Sequence, residues 1–362
     1  MLTILHTESS MGWGGQEIRI FQESLGMIKR GHRVIIAAPE ESSIFKRSKE
    51  ACITTFPACF NKMNPLSIVR MVSLIDREKV DIVNTHSSSD SWVTTLAARF
   101  SRARIIRTRH LSTVIGRSYL SRLIYDVLPD AVITTGEAIR QKMIRDNDFT
   151  ASKIFSIPTG VDTERFDLPR VKPVLDAGSF KVGTVGVLRS WKGHQFFLEA
   201  VPEIWTAIPG AVFYIVGDGP QREHIRSIIR ERSLQGRVHM LDHREDIPEI
   251  IASLDVVVHP SYGHEGVPQT LLQALAMEKP VVASDAGAIK EIVINSRTGF
   301  LIEPRNPKQI AERVIELHRR PELRTEFGKA GRRLVEERYS FEKMLDSIEN
   351  LYNDFFKHVR TS

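Results

Sequence analysis

The sequence predicts two α/β domains, each a doubly wound, parallel sheet of the Rossmann type, facing each other across a cleft. Three observations lead there. Short runs rich in Val and Ile alternate with longer amphipathic stretches, the pattern of parallel strands joined by crossover helices. The chain has 362 residues, whereas single hydrophobic cores seldom grow beyond ~250–300. Between the two α/β stretches, residues 167–180 carry Pro169, Pro173 and Gly178 without a clear period, which marks a linker.

In the first half, strands are expected at residues 2–6, 34–38, 82–84, 105–108, 131–134 and 154–157, with helices between them such as 16–29, 66–77 and 137–145. In the second half they are expected at 182–187, 212–216, 238–241, 256–259, 281–283 and 299–302, and residues 341–356 read as a terminal amphipathic helix. The domains then span 1–168 and 169–340. Ligands of such sheets sit at the carboxyl ends of the strands, so strand-end residues are the functional candidates.

Composition narrows the classes. Hydrophobic residues make up 42% and charged residues 26%, ordinary for a soluble globular protein. No apolar run approaches the roughly 18 residues of a membrane span. The start, MLTILHTESS, lacks the basic segment and long apolar core of a signal peptide. Cys52 and Cys59 have no metal-ligand spacing and read as free thiols. A cytoplasmic protein is therefore expected. The net charge of +6 suggests an anionic partner. Between Arg99 and Arg122 stand seven arginines and no acidic residue, either a solvated basic face or an attraction to anionic lipid headgroups or a phosphorylated glycan. Nucleic acid is not expected, because the arginines lack interleaved aromatics and no recognition motif or zinc pattern is present.

Candidate site residues follow the strand ends. Gly12, Gly14 and Gly15 come after the first strand, with Glu17 in the first turn of the next helix; a Gly-rich turn lets backbone N–H groups approach a phosphate, though the spacing is not GxGxxG. His86 and Asp90 follow one strand in VNTHSSSD, and Arg109 and His110 end another in RTRH. In VGVLRSWKGH, Arg189 and Lys192 offer cations to a leaving phosphate. Gly217, in VGDGP, is placed to let a nucleotide come close. His239 and His243 have no second ligand at metal spacing.

The most informative stretch is HPSYGHEGVPQTLLQALAM, from His259 to Met277. It reads as a strand end, a loop with Ser261, His264 and Glu265, then a helix opening at Pro268, where proline suits the first helical position. The helix N-terminus offers backbone donors to an anion. Pro260, Ser261, Glu265, Gly266 and Pro268 resemble the signature of the retaining, nucleotide-sugar-dependent glycosyltransferases of the GT4 family, which have the GT-B fold. Gln273 stands where that family has a second Glu, Val187 where it has an arginine, and Gly136 where it has a serine.

The resemblance implies transfer of a sugar from a nucleoside-diphosphate sugar to an acceptor hydroxyl with retention of configuration. It implies no organic cofactor and no metal on the diphosphate. His110, Lys192 and Glu265 are then the catalytic residues. The donor is held by Gly14, Gly15, Arg189, Gly217, Gly266, Val267, Pro268, Gln269 and Gln273, the last at the ribose, while His86 and Arg109 face the acceptor. The segment 341–362 would return to the first domain. The expected partners are a nucleotide-sugar donor and a glycan or lipid-linked acceptor of bacterial surface polysaccharide synthesis, with the run 99–122 docking the enzyme peripherally on the inner membrane face. Two other readings fit the residues: a nucleotide-sugar epimerase acting on UDP-N-acetylglucosamine, and a catalytically silent scaffold.

Overall fold

The computed structural model describes residues 1–61, 64–263 and 265–357. The chain forms two compact units, one of Met1–Pro158 together with the chain from Met344 onward, the other of Thr159–Lys343.

The first unit holds seven parallel strands: β1 (Thr3–Thr7), β2 (Arg33–Ala38), β3 (Thr54–Pro57), β4 (Ile82–Thr85), β5 (Arg104–Arg109), β6 (Ala131–Thr134) and β7 (Ile154–Ser156), in the order β3-β2-β1-β4-β5-β6-β7. Helices cover both faces, so adjacent residues serve opposite cores. Ile35 joins Leu5, Val83 and Ile105 on one side, and Ile36 joins Ile20 and Ile44 on the other. Strand β3 was not expected from the sequence. Thr54 and the terminal Pro57 are exposed and Thr55 half-buried at the sheet edge, where no apolar run is needed. The helix Phe341–Lys357 is held to this unit by Tyr352, whose hydroxyl lies 3.1 Å from Asn84 Nδ2 and 3.2 Å from Glu23 Oε1. Arg30 adds contacts of 2.8 Å to Asp346 and 2.9 Å to Glu349.

The second unit holds β8 (Phe180–Val185), β9 (Ala211–Val216), β10 (Val238–Met240), β11 (Val256–His259), β12 (Val281–Ser284) and β13 (Gly299–Ile302), in the order β10-β9-β8-β11-β12-β13. Val182, Phe197, Phe213, Val256 and Phe327 belong to its main core. Residues 159–168, expected with the first domain, belong here. Val161 exchanges backbone bonds of 2.9 Å with Tyr339 and Phe341, and Arg332 donates to the carbonyls of Phe166 (2.6 Å) and Thr163 (3.2 Å). Part of the expected linker is also tied down, since Ser253 Oγ accepts the N–H groups of Val174 and Leu175. The division therefore falls between Pro158 and Thr159. Among the described residues no helix is long and apolar enough to cross a membrane, and Cys52 and Cys59 are free and exposed.

Candidate active site

In the second unit the strand order reverses between β8 and β11, the place where doubly wound sheets bind ligands. Two glycines bring three strand-end loops together. Gly193 has φ +72°, and a Cβ there would lie 2.1 Å from Pro260 O, so the loop after β8 lies directly on the loop after β11. Gly287, at φ +59°, would place a Cβ 2.1 Å from Glu265 O, which brings the loop after β12 against the same segment. No larger residue leaves room for these approaches.

Glu265 is held between them. Lys192 Nζ donates to its Oε1 at 2.7 Å, Ser261 Oγ donates to the same oxygen, and His259 Nε2 stands 3.5 Å away. The residue is only 6% exposed, and no described residue donates to Oε2. Burial pushes the carboxyl pKa up, but the Lys192 charge and His259 outweigh it and hold it well below the usual carboxylate range. Burial lowers the pKa of His259, and burial with the nearby Lys192 charge lowers that of His194 to about 3. The site is thus an ion pair among imidazoles that burial keeps neutral, with no described residue donating to the second carboxylate oxygen.

The following helix is Gln269–Ala276 and opens one residue later than the sequence suggests. Pro268 is its N-cap rather than its first helical residue, in extended backbone, with its carbonyl accepting from Leu271 and Leu272. Leu271, Leu272 and Leu275 are fully buried and anchor it. Gly266, Val267 and Pro268 are buried, Gln269 is half-buried, and the half-buried Gln273 side chain has no hydrogen-bond partner among the described residues. His264 lies outside the described residues.

Two donor candidates look different in three dimensions. The strand expected over 182–187 ends sooner at Val185, and the backbone then turns, Arg189 N–H bonding to Val187 O at 2.9 Å. Its exposed guanidinium lies over Trp191, 5.2 Å from the ring centre. Gly217, with φ +135°, has the place of its missing Cβ filled by Gly186 O at 2.0 Å, so chain packing already requires a glycine there.

In the first unit the sheet order β1-β4-β5 sets His6, His86 and His110 side by side. His110 Nε2 is 3.0 Å from His86 Nδ1, His86 Nε2 is 3.0 Å from His6 Nδ1, and His6 Nε2 faces Glu23 Oε1 at 3.7 Å. Burial lowers all three imidazole pKa values, His6 to about 3. Each neutral ring has one N–H, so in a row of this kind the proton position at one end fixes it at the other. His86 therefore touches His110 rather than standing free for an acceptor. Beside them, Asp90 accepts from Thr7 Oγ1 (3.0 Å) and the His86 N–H (2.9 Å), and burial with the neighbouring Glu8 raises its pKa to about 7. Glu8 accepts from Gln16 and Ser87. Glu8 went unnoticed in the sequence, where a lone acid after a strand has no signature. The Gly14 N–H is taken by Glu17 at 2.8 Å, while the space around Gly15 is open.

Arg109 bonds to the hydroxyls of Tyr125 (2.7 Å) and Thr113 (3.0 Å). The basic run is not one face. Arg107 is buried against Tyr125, and Arg104 and Arg122 pair with Asp130 (3.3 Å) and Asp126 (3.7 Å), so the strand turns some arginines inward and nearby acids take others. Arg99, Arg102 and Arg117 are exposed.

Comparison with known proteins agrees with this architecture. The family described as Glycosyltransferase Family 4 matches residues 13–165, and that described as Glycosyl transferases group 1 matches residues 167–334. The chain belongs to the GT4-type glycosyltransferases, with the GT-B fold. The capsular polysaccharide glycosyltransferase CapM of Staphylococcus aureus is 26% identical over 80% of this chain and 81% of its own. A UDP-Gal:alpha-D-GlcNAc-diphosphoundecaprenol alpha-1,3-galactosyltransferase of Escherichia coli is 29% identical over 80% and 79%. Among solved structures, a glycosyltransferase of Rickettsia africae superposes with a TM-score of 0.89, 22% identity and coverage of 98% and 99%. This glycosyltransferase transfers a sugar from a nucleoside-diphosphate-sugar donor to a glycan or lipid acceptor. Among the described residues, no group of three His, Cys, Asp or Glu is placed to hold a metal ion.

Proposed function

We propose that the enzyme transfers a hexosyl group with retention of configuration to a lipid-linked acceptor of bacterial surface polysaccharide synthesis. The reading is carried by Glu265, whose Oε1 is saturated while no described residue donates to Oε2. In this reading Oε2 accepts from donor-sugar hydroxyls. Lys192, already paired with Oε1, has further N–H bonds for the diphosphate. The backbone at Gly266–Gln269 adds donors, and Gln273 takes the ribose. Departure of the nucleoside diphosphate leaves negative charge on its oxygen, and a cation already in place stabilises it without reorganisation. The leaving phosphate takes the acceptor proton, so no second carboxylate is required. His110, its ring oriented by His86, bonds to a sugar hydroxyl.

For the acceptor, the support is the diphosphoundecaprenol acceptor in the name of the Escherichia coli relative and the exposed arginines with exposed Phe100, Tyr119 and Leu120. Docking at an anionic membrane surface in the cytoplasm should weaken with added salt. UDP is the preferred nucleotide, in line with that relative and with Anabaena HepE, described in complex with UDP-glucose.

Calorimetry with UDP, GDP, ADP, UDP-glucose and UDP-N-acetylglucosamine on wild type and Lys192→Ala tests the donor site, and the anomeric configuration of the product by NMR tests retention. Binding abolished by Lys192→Ala supports the site. Release of a free epimerised sugar without an acceptor would point to an epimerase, and no nucleotide binding at all to a scaffold.

A further inference from the structure

The first unit contains a cavity of about 490 Å³ that the donor chemistry does not use. It lies among the helices Pro65–Arg77 and Ser88–Ala98 and the segment 119–127, with walls that include Ile68, Trp92, Leu96, Leu120 and Ile124. Its size falls within the range of small-molecule sites, and its lining is mainly apolar. Leu120 both lines it and is 59% exposed, so the cavity has an apolar mouth. Next to Leu120, Tyr119 is 77% exposed, and Leu66 and Val69, on the helix that supplies Ile68, are 59% and 60% exposed.

One lining residue does not fit an apolar wall. Arg107 is only 6% exposed. Its guanidinium lies 3.8 Å from the centre of the Tyr125 ring and donates to the Tyr125 hydroxyl at 2.9 Å, and no described carboxylate lies within ion-pairing distance. The favourable charge of Asp90 reaches it only from beyond ion-pairing distance, and a buried cation so placed is costly unless an anion comes to it. Arg109 shares the same hydroxyl, which adds positive charge to the surroundings.

We propose that this cavity binds a hydrocarbon chain ending in phosphate, the chain against Trp92, Leu96 and Leu120 and the phosphate on Arg107. Such a ligand satisfies both halves of the site, since neither free phosphate nor an uncharged lipid uses the apolar wall and the cation together. The inference rests on the lipid-linked acceptor proposed above and gives it a location.

The test is calorimetry on the full chain with farnesyl monophosphate below its aggregation concentration, beside farnesol and inorganic phosphate. Farnesyl monophosphate should bind saturably and at least tenfold more tightly than either. Arg107→Leu should remove the advantage over farnesol. Because Arg107 is buried, Leu120→Glu, which puts a carboxylate at the exposed mouth, serves as a second variant. With its circular dichroism retained, it should weaken farnesyl monophosphate at least tenfold. No saturable binding, equal binding of farnesol, or indifference to Leu120→Glu overturns the proposal. Binding lost in the variants while the enzyme glycosylates only a soluble glycan would uphold the cavity and sink the lipid-linked acceptor. Transfer to a lipid-linked acceptor that Leu120→Glu leaves unchanged would do the reverse.

Discussion

The two units each bury a polar centre at the carboxyl end of a sheet, and they stabilise it in opposite ways. In the second unit Glu265 remains ionised because Lys192 lies 2.7 Å away. In the first, His6, His86 and His110 remain neutral and satisfy one another in a row with spacings of 3.0 Å. A charge held ready suits binding of hydroxyls and a diphosphate. A neutral row fixes ring orientation without attracting counter-ions. The contrast shows that burial alone does not decide protonation, because the partner supplied by a distant stretch of chain does.

The largest effect should come from removing the charge at Glu265. Glu265→Gln keeps the shape but loses the charge-assisted bonds, and transfer should fall by about a hundredfold; a fall of less than threefold in kcat/KM would separate Glu265 from the chemistry. The matching break in the first unit is His86→Leu, which strands His6 Nδ1 and His110 Nε2 without partners. It should cost about 2–4 kcal/mol in a denaturant titration, and a loss under 0.5 kcal/mol would mean the row is not formed in solution.

Acid should also separate the two centres. His259 and His194 have folded pKa values below 6.5 and Glu265 one below 4.5, so their stabilisation is present above those values and is lost as pH falls. Each contributes up to about 1.4 kcal/mol per pH unit within its window. In the first unit the histidines act with the same sign, but Asp90, Glu8 and Glu23 have raised values. Their stabilisation is present at low pH and lost as pH rises, so acidification returns part of what the histidines lose, Asp90 doing so from about pH 7 downward. Hydrogen exchange should therefore show protection falling first around β8 and β11. Earlier loss around β1 and β4 would contradict the balance.

The smallest effect is a gain. Gln273→Glu gives the site a carboxylate for the ribose, and charge-assisted bonds are about twice as strong as neutral ones. Nucleotide affinity should rise up to about tenfold by calorimetry, whereas unchanged affinity would remove Gln273 from the ribose position.

Much of the fold was legible because strands buried on both faces read as apolar runs, as in RVIIAA of β2. Strand β3 was missed because an edge needs no such run. The Glu265 loop was legible from the order of its residues, and Lys192 from its place after β8. The early end of β8 at Val185, followed by a buried Leu188 on which Gly219 packs, was not legible from alternation. The arginines between Arg99 and Arg122 read as one patch because their count is local while their partners are not.

The sequence by itself determined the alternation of strands and helices and the motif around Glu265, since both depend on neighbours a few residues apart. It also determined the glycines that the tight turns need. Only the tertiary structure decided that Lys192 meets Glu265 across 73 positions, that His86 meets His6 across 80, and that Arg107 faces a cavity rather than solvent. The reason is the strand order. Parallel sheets bring the ends of strands together irrespective of their separation along the chain, so periodicity says which face a residue takes but not which residue it meets there.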